Sequence, residues 1–375
     1  MKKNRKPWSI WYKWFYRVPL SVFNVLTHIK PWVLDARKNT YHAGSPLKSK
    51  FRIFLDQLWF AFAQGSTIKE DYYAMGVDRR SRSAKDYIAD NVNMVATRTI
   101  NTTCGLSTMQ WHYDMCALLN DKWIFSQMCQ AYGIKTPHVY GTVRDGKLIS
   151  NELKSLEDLT QSDYDLMVKP LDGFCGWGIF HLRCVGGKLI VKGEEITVEK
   201  LKEMISKGRY LIQDYITNQH EGMSKLYPNA VNTLRITVAR EKDGLRVMGR
   251  MGMLGAHGTD CSNWHFGGVS VNLKEDGTLD KYGYCKIDKK ITAHPDTGVV
   301  FEGYKIPYFD EAIALAKRAT ECFYGFCSIG WDVVITNDGP ILLEGNDDWG
   351  VVAHQMVEDR GWRANWEQSM GKLNM

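Results

Sequence analysis

The nine cysteines of this 375-residue chain include no Cys-x-x-Cys pair, and none stands at metal-ligand spacing from a histidine. An odd, scattered set of thiols excludes a disulfide framework and fits reduced cysteines in a cytoplasmic protein. Cys175 and Cys261 lie in glycine-rich loops, where they read as small space-filling residues rather than reactive thiols. Long apolar runs are missing too. Lys13 and Arg17 interrupt the aromatic stretch near the N-terminus, so it cannot span a bilayer. Without a small-residue cleavage site, that stretch is also a poor signal peptide. The string Gly-x-x-x-x-Gly-Lys-Ser/Thr is absent, as are Gly-x-Ser-x-Gly and any comparable nucleophile set. No internal repeat or low-complexity segment occurs. Walker-type phosphate binding, serine-hydrolase chemistry and membrane spanning are thereby set aside.

What is present is ordinary in bulk and uneven in detail. A chain that is 24% charged and 44% apolar is composed like a soluble globular protein. Its length suits two or three subdomains. Of the 48 basic and 42 acidic residues, eleven basic residues but only Asp35 fall in residues 1–50, which leaves 37 basic against 41 acidic residues elsewhere. The same segment carries Trp8, Trp11, Tyr12, Trp14, Phe15, Tyr16, Phe23 and Trp32. Basic residues beside Trp and Phe suit an interfacial segment on an anionic membrane, each basic residue contributing about 1 kcal/mol there. Packing of the aromatics on the rest of the chain is an equal alternative. Nucleic acid ranks well below both, because no RNA-binding signature accompanies the charge. From Phe51 to Leu119 the apolar spacing is mostly helical, with Ser83 as a helix cap.

The chemistry concentrates near the C-terminus. Gly330 to Ile335 and Ile341 to Asn346 read as strands joined by the turn Asn337-Asp338-Gly339-Pro340. Each delivers one acid from an apolar run, Asp332 and Glu344. Carboxylates among buried strand residues are costly unless paired or bound to metal. With Asn346 they make an oxygen-only donor set, which suits Mg²⁺ on nucleotide phosphates. Upstream, Leu166 to Pro170 is a short strand carrying Lys169. The loop Asp172 to Gly178, with Gly173, Gly176 and Gly178, then leads to a second strand rather than a helix. That excludes Rossmann and Walker loops and leaves a hairpin flap whose N–H groups can close over an anion. In Asn232 to Arg240, alternation puts Thr233, Arg235 and Thr237 on one face and Leu234, Ile236 and Val238 on the other. Arg235 then points into a cleft, to hold a phosphate or carboxylate or to pair with Asp332 or Glu344. Arg250 is a second candidate of that kind. The polar loop His257 to Gly268 offers Asp260, Asn263, His265, Gly267 and Gly268 toward a substrate, and its histidine spacing matches no zinc pattern. Asp310 is expected to cap a helix running through Cys322.

A Lys-Pro strand end, a glycine flap and a later Asp…Glu-x-Asn set, in this order, resemble the ATP-grasp enzymes. Asn232 to Ile236, Asn263 to Val269, His294 to Gly298 with Ile306-Pro307, and Ile329 to Asp332 resemble more narrowly the sugar-transfer-associated ATP-grasp group. The resemblance covers roughly residues 122–352. It implies an α+β ATP-grasp fold, two subdomains clasping ATP, after a mostly helical N-terminal region. The expected boundaries are a basic aromatic segment 1–50, a helical region 51–119, a flap subdomain 120–215 and a metal- and substrate-binding subdomain 216–375. It further implies that Lys122, at a helix start, and Lys169 reach the phosphates. Gln213, Asp214, Tyr215 and Ile216 would form the adenine hinge, and Glu221 would meet the ribose. One or two Mg²⁺ ions would sit on Asp332, Glu344 and Asn346. The implied reaction joins a carboxylate to an amine through an acyl phosphate, with Arg235 and Lys169 catalytic. A kinase that leaves a stable phosphate product and a non-catalytic scaffold at the membrane surface are the other readings.

Overall fold

The computed structural model describes residues 13–103, 115–144, 146–171, 173, 178–259 and 261–372. Trp8, Trp11 and Tyr12 lie outside the described residues. From Phe51 to Thr103 the chain is mostly helical, as the spacing predicts, and residues 13–39 are helical as well. Helices Val18–Thr27 and Lys50–Trp59, with the helical turn Phe60–Gln64 that continues the second, pack through Val25, Ile53, Phe60 and Ala61. Ser49 starts the second of them, its side chain accepting from the Arg52 N–H at 3.2 Å. Inside this cluster, Asp56 is buried and accepts from Lys48 and from the Tyr72 hydroxyl. Ser83 caps only the single turn Ala84–Asp86, and the next long helix, Asp90–Thr103, begins later. Tyr87, Ile88 and Ala89 between them are buried and stay extended or bent instead of coiling.

Two antiparallel sheets follow. The first contains β1 (Val139–Arg144), β2 (Lys147–Ile149), β3 (Tyr164–Pro170), β4 (Phe180–Val185), β5 (Lys188–Val191), β6 (Glu194–Ile196) and β7 (Arg209–Asp214), in the order β2-β1-β7-β3-β4-β5-β6. The second contains β8 (Thr233–Glu241), β9 (Gly244–Leu254), β10 (Val269–Leu273), β11 (Leu279–Cys285), β12 (Lys289–Ile291), β13 (Ser328–Thr336) and β14 (Gly339–Asn346), in the order β12-β11-β10-β9-β8-β13-β14. The glycine-bearing segment lies between β3 and β4, and a strand, not a helix, is the next element among the described residues. The Asn337–Asp338 turn closes the β13–β14 hairpin where Thr336 pairs with Gly339.

The alternation in β8 sets the layers. Leu234, Ile236 and Val238, with Trp331, Val333 and Ile335 of β13, share a core with helix Phe309–Cys322 through Ala312, Ala316 and Ala319. Asp310 lies in that helix's first turn, where it complements the dipole, while the cap position is Tyr308 in a left-handed conformation. On the opposite face, Thr237 meets His354 of helix Val351–Val357. Trp349, Trp362 and Trp366 complete that layer together with Ile88, so residues 87–96 share a core with the C-terminal helices.

Candidate active site

Three neighbouring strands carry one row of charge. In the ladder, Arg235 of β8 stands opposite Asp332 of β13, which stands opposite Glu344 of β14. The Arg235 guanidinium grips both Asp332 oxygens, with Nη2 at 2.9 Å, and donates through Nη1 to the Trp349 carbonyl at 3.2 Å. Room for this comes from Gly330: a Cβ there would lie 2.3 Å from the Trp349 Cβ. Burial pushes the Asp332 carboxyl up to about 6, which Arg235 offsets only in part, and Glu344 adds to the rise. Burial would also raise Glu344, but Lys122, Lys169 and Arg235 together outweigh it and hold that carboxyl below its ordinary range. Burial lowers the Lys169 ammonium to about 8, against the pull of Glu344 and with the push of Lys122.

The two lysines come from different elements. Lys169 is buried at the end of β3, paired in the ladder with Leu211 of β7. Lys122 opens helix Lys122–Ala131, whose cap Asp121 accepts from the Trp123 and Ile124 N–H groups at 3.0 and 3.1 Å. Its Nζ donates to the Gly173 carbonyl at 2.9 Å, tying the helix to the glycine loop. Gly178, at the far end of the loop, has a φ of 75°. Gly176 and Cys175 of that loop, like Asp260, lie outside the described residues.

Lys122, Lys169, Arg235, Asp332 and Glu344 therefore act electrostatically on one another. Asn346 lies two residues beyond Glu344, and its amide donates to the Gly330 carbonyl at 3.4 Å. Two facing carboxyls and an amide, with no nitrogen or sulfur donor among them, fit a hard divalent cation.

Other expected residues are placed differently. Gln213 is buried in β7, and the Asp214 carboxylate accepts from the Tyr140 hydroxyl at 2.9 Å. The Asp214 and Tyr215 N–H groups are already bonded to the His138 and Asp165 carbonyls, and the Tyr215 ring stacks on His181 at 4.1 Å. Ile216 follows in non-regular structure. Glu221 is exposed and pairs with Lys225 on its own helix at 3.1 Å. Arg250 lies on β9. It stands opposite Ile236, on the core-side parity, and its guanidinium reaches the Lys274 carbonyl and Glu275. Asn263 caps the turn Trp264–Phe266 by accepting from the His265 N–H at 2.8 Å. His265 is lowered by burial and by Lys286, which lies 3.5 Å from its Nδ1. Gly267 and Gly268 are buried, and a Cβ at Gly268 would lie 2.5 Å from the Ser262 carbonyl oxygen, so both serve the loop's own path.

Some neighbours escaped the sequence reading. Asp348 is pushed up to about 6 by burial and by Asp90, and its charge acts on Arg235. Asp347 is paired with Arg98 at 2.9 Å. The acids directly after Asn346 were a visible signal. Asp90 and Arg98 had none.

The family profile described as sugar-transfer associated ATP-grasp matches residues 68–370. No curated protein matches the chain. Among solved structures, D-alanyl-alanine synthetase A from Vibrio cholerae is 12% identical, with a TM-score of 0.41, covering 69% of this chain and 66% of its own. The RimK domain ATP-grasp protein from Sphaerobacter thermophilus is 14% identical, with a TM-score of 0.33, covering 66% of this chain and 69% of its own. L-amino acid ligase from Bacillus licheniformis is 12% identical, with a TM-score of 0.37, and the alignment spans 69% of this chain but 47% of that one. With four fifths of its length inside the matched profile, this chain is a member of the sugar-transfer associated ATP-grasp family.

Proposed function

We propose that the chain is an ATP- and Mg²⁺-dependent carboxylate–amine ligase acting on a sugar-linked precursor, as in surface-polysaccharide synthesis. The observation that carries this reading is the charge row of Arg235, Asp332 and Glu344 with Lys122 and Lys169 acting on it. Asp332, Glu344 and Asn346 would hold Mg²⁺, which supplies charge neutralisation at phosphate oxygens when bound. Lys122 and Lys169 neutralise and orient the phosphates, and Lys122 exchanges the Gly173 carbonyl for them. Because Lys169 is buried, its charge acts at low local dielectric and is felt strongly. The substrate carboxylate takes the γ-phosphoryl group, releasing ADP. The amine then attacks the acyl phosphate, forming the amide and expelling phosphate. Arg235, fixed by its two-point grip on Asp332, stabilises the charge that develops at the reacting carbonyl. Positioning supplies most of the rate, because no covalent step falls on the protein.

The same reading places the enzyme on a membrane surface. Tyr16, Leu20 and Phe23 recur at helical spacing and face outward, as do Phe51, Leu55 and Phe62. Phe15, Phe23 and Phe51 are 72%, 62% and 70% exposed, beside Lys13, Arg17, Lys50 and Arg52. Among the described residues no helix is long and apolar enough to cross a membrane, so this contact is peripheral.

Calorimetry of ATP binding tests the central claim. Binding is expected to require Mg²⁺ and to weaken at least tenfold in Glu344→Ala. Mg²⁺-independent binding, or equal binding by both proteins, would remove the proposed site. ADP released with a stably phosphorylated acceptor, in place of free phosphate and an amide, would convert the ligase to a kinase.

A further inference from the structure

A second constellation stands apart from the charge row, where the His257–Gly268 loop meets the turn after β11. His257, Cys285 and Asp288 each offer one ligand atom, and these atoms all lie within 4.8 Å of one another. The His257 Nε2 is 3.2 Å from an Asp288 oxygen, and the Cys285 Sγ is 3.8 Å from the same oxygen. Zinc–ligand bonds of roughly 2.0–2.3 Å put the corners of a tetrahedron about 3.3–3.7 Å apart, close to both separations. The His257 Nε2 is buried and has no hydrogen-bond partner among the described residues, despite its approach to the carboxylate. An unsatisfied ring nitrogen aimed at a thiol and a carboxyl needs an explanation, and a cation between them supplies one.

Two further features point the same way. The Asp288 N–H donates to the Cys285 sulfur at 3.2 Å, and the backbone of Ile287 and Lys289 also acts on that thiol. Those amides offset only part of the burial that holds the Cys285 thiol above its ordinary range, so the cation itself would have to displace the proton. The backbone is also held in the left-handed region at both ends of the site, at His257 (φ 56°) and at Lys289 (φ 63°). Such conformations persist in non-glycine residues only where the surroundings enforce them, and they cluster at functional sites.

We infer that His257, Cys285 and Asp288 bind a zinc-class divalent cation, with the fourth position open to water. The bound ion latches the start of the His257–Gly268 loop to the β11–β12 hairpin. The loop is close enough for this: a Cβ at Gly267 would lie 3.5 Å from the His257 ring and 3.2 Å from Ile287. A thiolate and an imidazole select a softer ion than the oxygen set of Asp332, Glu344 and Asn346, so the two sites sort Zn²⁺ from Mg²⁺.

The test uses the full chain, stripped with a chelator and titrated with Co²⁺. A sulfur-to-cobalt charge-transfer absorption is expected, saturating at one ion per chain and displaced by Zn²⁺ but not by Mg²⁺. It should vanish in Cys285→Ser and persist in Cys261→Ser. Asp288→Asn, at an exposed position, should keep the band and weaken Zn²⁺ binding at least tenfold. Absence of the band in the wild type, or its survival undiminished in Cys285→Ser, overturns the inference. A Cys285→Ser protein that fails to fold leaves the Asp288→Asn comparison to decide, and unchanged Zn²⁺ affinity there overturns it as well. None of these readouts depends on ATP binding.

Discussion

At the scale of single residues, Arg235 ties stability to chemistry. Arg235→Met leaves Asp332 buried without its partner, which costs about 3–5 kcal/mol, and urea unfolding should show it. Arg235→Lys keeps the charge but loses the two-point grip, so it should melt closer to wild type while ADP release falls sharply. Equal ADP release by the lysine variant and wild type would leave Arg235 a structural residue. His354 gives the pH dependence. It is buried, bonds to the Thr237 hydroxyl at 2.8 Å and stacks on Trp362 at 4.4 Å. Burial, and then Arg235, lower its pKa from 6.5 to about 3. The unfolded chain therefore binds the extra proton across that window, and stability falls as pH drops through it. Asp90 and Asp348, raised to about 6, work in the opposite sense below that pH, so the comparison must be with His354→Gln. Wild type should lose roughly 2 kcal/mol more than this variant between pH 6.5 and 4.5. A difference that stays flat would mean the imidazole is solvated. Asp332 and Glu344 were legible in the sequence because acids in apolar strands stand out. His257, Cys285 and Asp288 were not, because distant segments bring them together and no spacing rule covers the set.

At the scale of elements, helix Lys122–Ala131 and the β8–β9 hairpin show opposite outcomes of reading a sequence. The helix announces its start through Asp121 and its end through Gly133 at φ 62°. Asp121→Ala removes both cap bonds and should cost about 1 kcal/mol. Because Lys122 is the next residue, ATP affinity should drop along with the melting temperature. A stability loss with unchanged affinity would separate the cap from the site. The register of the hairpin turns on one residue. From its turn, Glu241 pairs with Gly244 and Val238 with Val247, and an unbroken ladder would put Arg250 opposite Arg235. A bulge shifts the register between Thr237 and Val238, so Met251 takes that place and Arg250 turns to the other face. A slip of one residue exchanges the faces of everything beyond it. Alternation within a strand reads each face correctly, as it did for β8, but the offset between two strands is set by a bulge that no residue type announces.

At the scale of the whole molecule, the apolar helices at one end predict a measurable partition. Leu20→Asp with Phe23→Asp changes only exposed positions, so folding and Mg-ATP binding should survive. Cosedimentation with phosphatidylserine vesicles should fall at least tenfold, and wild-type binding should weaken with salt. Equal sedimentation of both proteins would leave these stripes facing a protein. The pairing of residues 87–96 with the C-terminal helices reaches across the chain. The Trp366 indole donates to the Asn93 side chain over a separation of 273 residues, and the Gln355 side chain bonds to Ile88 at both its N–H and its carbonyl. During synthesis at roughly 5–20 residues per second, Asn93 therefore waits on the order of tens of seconds for Trp366 to be made. The first sheet can form in that interval, but Ile88 and Asn93 cannot be covered. The nascent chain thus carries one apolar seam open until helix Arg363–Met370 arrives, and that seam is where a holding chaperone would find it.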